Sequence, residues 1–517
     1  MSDNIEEVIA SQSNLNPSAF GAWLNSWPEE RKARMKKSLA DAYSRPLQKD
    51  ATTSGIVTGT GLVPYSLEGP ALNLWSVITP FVQKLPRKVL GGTGLHWKRI
   101  RSIDSVETFG FVAEDTSTTH GSVAGRAGFQ TFIEEDDSVA WKTLGLDSFV
   151  TWAARMGGNT TVNSGQNFNV WEVAKLAALQ AVRMREEKAL LLSNLTQLAQ
   201  PGAPTLTGHT KAAAGTGSLS VGTAYKFTVS ALNGHGLRSG ADGRDATPAN
   251  SEGETTAAAS TALTTEGSGA GSDSLTFGWT AVPGAVAYNV YGGTNAGDQR
   301  VYLGTVTVNE FTATTVTGLG GSTNIPNTAN TSADANGYDG LIKLIHTKGG
   351  YVHSLGGQPF TGTKGYIAEL DAAFQYQFLT YQLGTTSVYL NAADLRKAMD
   401  VILGASAPIV RINVENGQSN LTGDLRVTGV LNNYTGQRVD FVVHPYMPKG
   451  TAILWCDNFG EYYPNLNIPN PVEMGLQYDY ISKDWPEMNL RNEFGVYVSG
   501  APVLRAGFPL GILTDIA

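Results

Sequence analysis

The sequence of 517 residues predicts an α+β protein into which an all-β sandwich is inserted. Three observations predict this fold class. Residues 169–194 have the apolar spacing of one long helix, residues 203–336 show strand alternation in a segment of different composition, and residues 337–517 combine helical segments with many strand-like runs. At about 150 residues per domain, the length suggests about three structural units.

Composition narrows the classes of protein that fit the chain. Charged residues make up 16% and the formal net charge is −8, which argues against a protein that wraps nucleic acid through a basic surface. The single cysteine, Cys456, allows no intrachain disulfide, and its apolar surroundings predict a small core residue. The sequence has no run of 18 apolar residues and no apolar N-terminal segment, so neither a membrane span nor a secretory signal is expected.

Residues 1–50 predict an N-terminal arm rather than part of a core. The stretch PEERKARMKKSLADAYSR carries six basic and three acidic side chains and is helix-prone. We interpret it as a solvated or partner-docked helix, and direct contact with nucleic acid is the alternative.

The segment from about residue 95 to residue 140 predicts a long two-stranded excursion. It is extended and polar in character, and it has too few large apolar side chains for a core of its own. Since an isolated hairpin is marginal in water, we expect it to pack on a neighbouring subunit. The candidate intersubunit residues are Phe109, Phe111, Glu114, Asp115, Arg126 and Phe129.

Charged residues surround this excursion. The acidic run at 134–137 lacks the spacing and the glycine of a calcium-binding EF-hand, so we interpret it as solvated or paired with another subunit. The nearby basic residues are expected to pair with acidic neighbours, with DNA as the alternative partner; they are Arg87, Lys88, Lys98, Arg99 and Arg101.

Residues 169–194 predict the longest helix. Asn169 followed by Glu172 resembles a capping box, and Arg183 and Glu187 are spaced to pair across one turn. At 1.5 Å per residue the helix would be about 38 Å long, which suits a scaffold element. Its packing stripe is predicted from the spacing of Val170, Ala174, Ala177, Ala181, Met184 and Leu191.

Residues 203–336 predict a separate module. Only 14 of these 134 residues are charged, against 68 of the other 383, and a disordered linker is one alternative. Period-2 alternation in AYKFTVSAL and LTFGWTAV favours a β-sandwich instead, while 245–274 has little periodicity and predicts a long loop. The predicted core residues of the module are Trp279, Tyr288, Tyr291, Tyr225 and Phe227.

The same strands resemble an immunoglobulin-like fold. WTAVPGAVAYNVYGGT is similar to the B and C strands of a fibronectin type III module, and TAYKFTVSALNGHGLRSG is similar to its F–G segment. Here the F–G-like segment comes first, so the resemblance implies a permuted or degenerate sandwich. It implies nothing about a ligand.

The segment 337–517 completes the element order. DGLIKLIHTKGG, GYIAELDAAFQYQFLTYQLG and LNAADLRKAMDVILG predict helices that end at glycines or begin with acidic residues. Strands are predicted in RVDFVVHPYMP, GTAILWC and EFGVYVSGAPVLRAGFPLGIL.

This order resembles the major capsid proteins of tailed bacteriophages of the Hong Kong 97 type. The matching stretches are GIVTGTGLVPYSLEGPALNLWSVITPFVQKLPRKV, FGFVAEDTS and NLNIPNPVEMGLQYDYISKDWPEMNLRNEFGVYVSG. The resemblance covers roughly residues 51–200 and 337–517. It implies an N-terminal arm, an extended loop at about 95–140, a peripheral domain with a spine helix at 169–194, and an axial domain followed by closing peripheral strands.

The resemblance also implies a function. The chain would self-assemble into hexamers and pentamers of an icosahedral shell, enclosing double-stranded DNA without sequence-specific contact, in a virion whose proteins are made in the host bacterial cytoplasm. A portal and a separate scaffolding protein are expected partners, because only about 50 residues precede the core. The inserted module is expected to project outward and to bind a glycan or cell surface or to reinforce the shell. Some members crosslink through a lysine of the extended loop; no lysine lies between Arg99 and Trp141, so that bond is not expected here.

No catalytic, cofactor or metal site is predicted. The seven histidines lack the i, i+4 spacing of a zinc site, GQPFTGTKG departs from a phosphate-binding loop, and no GxSxG motif is present. We therefore expect a structural protein and not an enzyme. Two alternatives stay open: a glycoside hydrolase with a fibronectin-like module, which needs two carboxylates facing one cleft, and a phage tail or adhesion protein.

Overall fold

The computed structural model describes residues 28–30, 33, 77–104, 131–159, 170–212, 219–239, 253–265, 272–294, 301–315, 329–348, 350–363, 365–403, 429–457, 470–487 and 490–517. The chain divides into two compact units, Met1–Gly69 and Pro70–Ala517. The predicted N-terminal arm lies almost wholly outside the described residues, and the elements below belong to the second unit.

Helices and strands are mixed along this unit, which confirms the predicted α+β class. The described helices are α1 (Pro80–Lys84), α2 (Trp152–Asn159), α3 (Val170–Leu192), α4 (Gly234–Ser239), α5 (Leu341–Thr347), α6 (Ala368–Tyr381) and α7 (Ala392–Leu403). The described strands are β1 (Arg87–Val89), β2 (Gly94–Asp104), β3 (Thr131–Ala140), β4 (Lys142–Thr151), β5 (Thr205–Ala212), β6 (Leu219–Ser220), β7 (Ala224–Leu232), β8 (Thr261–Thr264), β9 (Ser272–Gly278), β10 (Ala287–Thr294), β11 (Val301–Val306), β12 (Glu310–Ala313), β13 (Tyr351–Ser354), β14 (Gly362–Thr363), β15 (Tyr366–Ile367), β16 (Ser387–Leu390), β17 (Gly429–Leu431), β18 (Arg438–Val443), β19 (Ala452–Trp455), β20 (Val472–Asp484), β21 (Arg491–Leu504) and β22 (Leu510–Thr514).

The first layer is a four-stranded sheet in the order β1-β20-β21-β4, with α3 packed on it. The ring of Trp171 stands edge-on to that of Phe494 at 4.9 Å, and Val182 of α3 is buried in the same core as Val496 of β21. The predicted helix at 169–194 is thus confirmed to within two residues at its C-terminal end.

The packing stripe of α3 lies about one position away from the predicted one. Its most buried line runs through Ala178, Val182 and Glu186 at spacings of four. Among the predicted residues Leu191 is buried, Val170, Ala174, Ala181 and Met184 are half-buried, and Ala177 is exposed, so its assignment as a packing residue is wrong. The sequence pattern missed this because two members of the true inner face are glutamates.

The second layer is a six-stranded sheet in the order β13-β22-β19-β16-β18-β17. Alternate residues of its central strands enter two different cores: Ile453 and Ile512 face the core shared with α3, whereas Leu454 and Leu513 face α6 and α7. Strands buried on both faces have continuous apolar runs, which explains the run AILW in β19. The three helices predicted after residue 337 are confirmed as α5, α6 and α7.

Two further sheets enclose a core of their own within residues 198–332, called here the two-sheet body. The sheet β11-β10-β7-β8 packs on the sheet β12-β9-β5, to which β6 is also paired. Phe227 and Phe277 meet between the sheets with ring centroids 4.5 Å apart, as the period-2 alternation predicts. Trp279, Tyr288, Tyr225 and Phe227 belong to this core.

Two details of the two-sheet body differ from the sequence prediction. Tyr291 is buried but points to the opposite face of β10, where its hydroxyl donates to Glu254 at 2.5 Å. The segment predicted as a loop at 245–274 contains β8 and the start of β9, and the backbone N–H of Thr255 donates to the carbonyl of Ala231. Threonine and alanine on β8 give too little apolar contrast for the alternation to be visible in the sequence.

The two chain segments that connect this body to the rest of the unit lie side by side. The N–H of Asp334 donates to the carbonyl of Asn194 at 2.8 Å, and that of Gly340 donates to the carbonyl of Ser193 at 2.7 Å. Val286 and Leu237 of the body also reach the core around α3. The body is therefore seated directly on the C-terminal end of α3.

Candidate functional site

The predicted two-stranded excursion is present as a ribbon of β2 and β3. The two strands pair antiparallel from Gly94 with Ala140 to Asp104 with Thr131, and within the described residues they form a two-stranded sheet by themselves. One face, with Trp97, is half-buried, and the other, with Lys98, is exposed. The six candidate intersubunit residues, Phe109, Phe111, Glu114, Asp115, Arg126 and Phe129, lie outside the described residues.

The base of the ribbon is fastened by charges. Arg99 lies 2.7 Å from a carboxylate oxygen of Glu135 and 2.9 Å from one of Asp137, and Lys348 also pairs with Asp137. Asp137 is only 5% exposed, so its charge depends on both cations for compensation. Lys348, at the C-terminal end of α5, thus ties the ribbon to the rest of the unit.

The charged residues around the ribbon pair within this chain. Lys98 contacts Asp136 at 3.7 Å across the exposed face, and Lys88 contacts Glu473 at 2.6 Å. The acidic run at 134–137 is thus partly solvated and partly paired with Arg99 and Lys348 of the same chain. Among the described residues no group of three potential ligands could hold a metal ion.

A buried carboxylate joins α3 to the segment before it, and the sequence prediction for this residue is wrong. Glu187 does not pair with Arg183. It is fully buried and accepts the backbone N–H groups of Phe81 and Val82 at 2.9 and 2.8 Å. Nδ1 of His444 accepts the N–H of Tyr446, so its proton is on Nε2, which donates to Glu187 at 2.6 Å.

The neighbouring Glu186 is buried as well and forms a second junction. It accepts from Arg87 at 2.9 Å and from the hydroxyl of Tyr480. Arg87 also binds Asp479 at 2.7 Å; burial raises the pKa of Asp479, but the hydrogen bonds from Arg87 and from the backbone outweigh burial, so this pKa lies below its ordinary value. Two adjacent glutamates on α3 therefore hold residues 80–89 against the helix and the six-stranded sheet.

A cavity of about 200 Å³ lies where the two-sheet body meets the six-stranded sheet. It is lined mainly by apolar groups, among them Val282 and Val352, and by the polar side chains of His346, Ser354 and Asp515. Burial, and then the charge of Lys343, lower the pKa of His346 to about 4. Burial raises the pKa of Asp515, which accepts a hydrogen bond from Ser354 at 2.6 Å.

Large apolar side chains are exposed at the far end of the four-stranded sheet. We call this surface the tip patch; it consists of Phe149, Trp152, Trp485 and Leu490. Beside it lies a pocket of about 330 Å³ lined by Asp147, Ser148, Phe149, Trp485, Arg491 and Glu493.

This pocket bears on the hydrolase alternative, because two carboxylates line it. Both are engaged: Asp147 accepts the hydroxyl of Tyr497, and Glu493 pairs with Arg491 at 2.7 Å. Each carboxylate therefore already has a partner within this chain. In the part of the chain that the structure describes, no helix is long and apolar enough to cross a membrane.

No family model and no curated protein matches the chain. Solved structures that it resembles include the capsid of Myoviridae phage XM1, with 10% identity over 90% of this chain and 100% of that chain at a TM-score of 0.39. A chain of Mycobacterium phage Bobi matches with 9% identity over 88% and 96% at 0.38. The holo-SrpI encapsulin complex of Synechococcus elongatus PCC 7942 matches with 9% identity over 88% and 93% at 0.37. All three TM-scores are below 0.5.

Proposed function

We propose that this chain is a shell-forming capsid protein with a Hong Kong 97-type fold. The observation that carries the proposal is the ribbon of β2 and β3. The 11 residues of β2 pair along their length with the 10 residues of β3. On one face of this ribbon the side chains of Lys98, Glu134 and Asp136 are 61–76% exposed. A two-stranded ribbon is marginal in water by itself. The face with Trp97 packs on this chain, and a neighbouring copy of the chain would cover the exposed face.

The layers of the unit support the same proposal. The sheet packed on α3 corresponds to the peripheral domain that the sequence resemblance implies, with α3 as its spine helix. The six-stranded sheet with α6 and α7 corresponds to the axial domain. Large apolar side chains are exposed together in the tip patch at the end of the four-stranded sheet, and clustered exposed apolar side chains favour protein–protein contact.

We further propose that residues 203–336 are an immunoglobulin-like domain with a rearranged strand order. The sheet β12-β9-β5 would hold the E, B and A strands, and the sheet β11-β10-β7-β8 the C′, C, F and G strands. Every pairing in these sheets is antiparallel, as this assignment requires. The F–G pair then precedes strand B in the chain, in line with the sequence resemblance.

We also propose the partners and the location that the sequence resemblance implies. Hexamers and pentamers would enclose double-stranded DNA, with a separate scaffolding protein and a portal as partners and the virion as the location. The immunoglobulin-like domain would project outward, to attach to a glycan or cell surface or to reinforce the shell. No catalytic activity is part of the proposal.

The test is the mass and shape of the purified full chain. We expect analytical ultracentrifugation and negative-stain microscopy to show capsomers or hollow shells. A stable monomer of 54.9 kDa would contradict the proposal and favour the hydrolase alternative, while fibres or tubes would favour a tail or adhesion protein. Closed shells of uniform size from this chain alone would count against the need for a scaffolding protein.

A further inference from the structure

Leu490, in the tip patch, combines two unfavourable features. Its side chain is 80% exposed, and its backbone φ is +55°, in the left-handed region that residues other than Gly, Asn and Asp rarely adopt. A hydrogen bond from the N–H of Trp152 to the carbonyl of Leu490 at 2.9 Å holds this backbone in place. Neither solvation nor local conformation favours leucine here, so the side chain points to a contact outside this chain.

The same end of the sheet carries a recess next to this projecting side chain. The pocket of about 330 Å³ has Phe149 and Trp485 as its apolar walls, with polar and paired charged side chains on its other sides, and it is large enough to accept a leucine side chain. Aromatic side chains around a pocket are typical of the centre of a protein–protein interface. A projection and a recess therefore lie on one surface.

The charges around the tip patch indicate which partner fits. They are paired with each other, as in Lys175 with Asp484 at 2.7 Å and Arg155 with Glu487 at 3.6 Å. The basic and acidic side chains in these contacts and in the pocket are equal in number: Lys175, Arg155, Arg491 and Lys483, and Asp484, Glu487, Glu493 and Asp147. Nucleic acid or another strongly charged partner would need an excess of one sign, whereas an identical surface is complementary to this mixture.

We propose that the tip patch is an interface between copies of this chain, in which Leu490 of one copy enters the pocket beside Phe149 and Trp485 of another. Both copies use the same patch in this contact, because the projecting group and its recess lie on one surface. This inference rests on the proposed shell function and names one of its contacts.

Variants at Leu490 separate this contact from folding. Leu490→Gly removes the side chain and suits the left-handed backbone better than leucine does, so it should fold at least as well as wild type. We expect association at this contact to weaken about tenfold or more, with a matching loss of shells in ultracentrifugation and microscopy. Leu490→Met, which keeps an apolar side chain, should assemble, and Trp485→Ala, which opens the pocket, should fail as Leu490→Gly does.

The experiments distinguish failure of the inference from failure of the proposed function. If wild type and Leu490→Gly assemble equally well, the patch is not an interface between copies, although shell formation stands. If wild type remains a monomer, the proposed function fails and the inference with it. In assembled particles that combine Leu490→Cys chains with differently sized Ser148→Cys chains, oxidation should give a heterodimer band, and its absence would contradict the proposed contact.

Discussion

Glu187 shows how one residue can decide the relation between two parts of a fold. A fully buried carboxylate is stabilised only when its charge is compensated, and here two backbone N–H groups and the Nε2–H of His444 donate to it. Phe81, which is held by this carboxylate, packs on the ring of Tyr389 at 4.7 Å. The segment 80–89, α3 and the six-stranded sheet thus meet at one charge.

We predict that Glu187→Gln lowers the free energy of unfolding by about 2–4 kcal/mol. The amide keeps one acceptor oxygen but places an NH₂ group against a backbone donor. Urea unfolding of the unassembled subunit measures the change. Glu134→Gln is the control, because Glu134 is 61% exposed, and we expect it to stay within about 0.5 kcal/mol of wild type. Equal midpoints for the two variants would contradict the role given to Glu187.

We predict that His346 makes the folded protein less stable in mild acid. Its pKa is lowered to about 4 in the folded protein, whereas the unfolded chain takes up the proton near 6.5. Protonation therefore favours the unfolded state as pH falls from 6.5 towards 4, by about 2 kcal/mol between pH 7 and pH 4.5. Asp515, whose pKa is raised, titrates in the opposite sense, so the measurement compares wild type with His346→Gln at both pH values. A variant with the wild-type pH dependence would refute this assignment.

In the ribbon of β2 and β3, as at Glu187, a buried carboxylate is compensated by residues from another part of the chain. Its two faces differ in charge environment: Asp137 is 5% exposed between Arg99 and Lys348, and Asp136, next to it on the other face, is 76% exposed. The strand alternation that separates these neighbours is visible in the sequence. The pairing of Asp137 with Lys348, at the C-terminal end of α5, is not visible in the sequence, because the two residues lie more than 200 positions apart in the chain.

We predict that Asp137→Asn loosens the base of the ribbon, while Asp136→Asn leaves it unchanged. Removal of the buried charge leaves Arg99 and Lys348 without full compensation, at a cost of about 2 kcal/mol, and amide hydrogen exchange in β3 should become about thirtyfold faster. Mass spectrometry of β3 peptides measures the exchange. Equal protection in the two variants would show that the ion pairs do not hold the ribbon.

At this scale the sequence predicted the elements better than their contacts. Helix α3, the ribbon and the strand β7 follow from apolar spacing, which depends on neighbouring residues alone. The apolar spacing predicts an inner face of α3 that is shifted by about one position from the observed one. The reason is that two residues of the observed face, Glu186 and Glu187, are polar and are compensated by residues distant in the chain. The sequence predicts Tyr291 in the core of the module, but it lies on the opposite face of β10, because an aromatic residue on a two-sided strand can pack on either face.

The whole unit combines the two layers with the two-sheet body, which is seated on α3 through paired chain ends. We predict that the body can be deleted between Leu198 and Asn330 with a short Gly-Ser linker, since the side chain of Asn330 already donates to the carbonyl of Leu198 at 3.0 Å. The loss of Val286 from the core around α3 should cost about 1–3 kcal/mol per subunit. Microscopy should show shells of unchanged diameter without the outer density. If no shells form, the body is part of the shell itself rather than an outward addition.

The adjacency of residues 193–198 and 330–340 also makes this site a natural place for grafting. A foreign polypeptide whose own termini lie close together would impose little strain on α3, because the host chain already brings the two attachment points within hydrogen-bonding distance. If the subunit assembles as proposed, every copy in the particle would then present that cargo at an equivalent position, at a density fixed by the lattice of the shell.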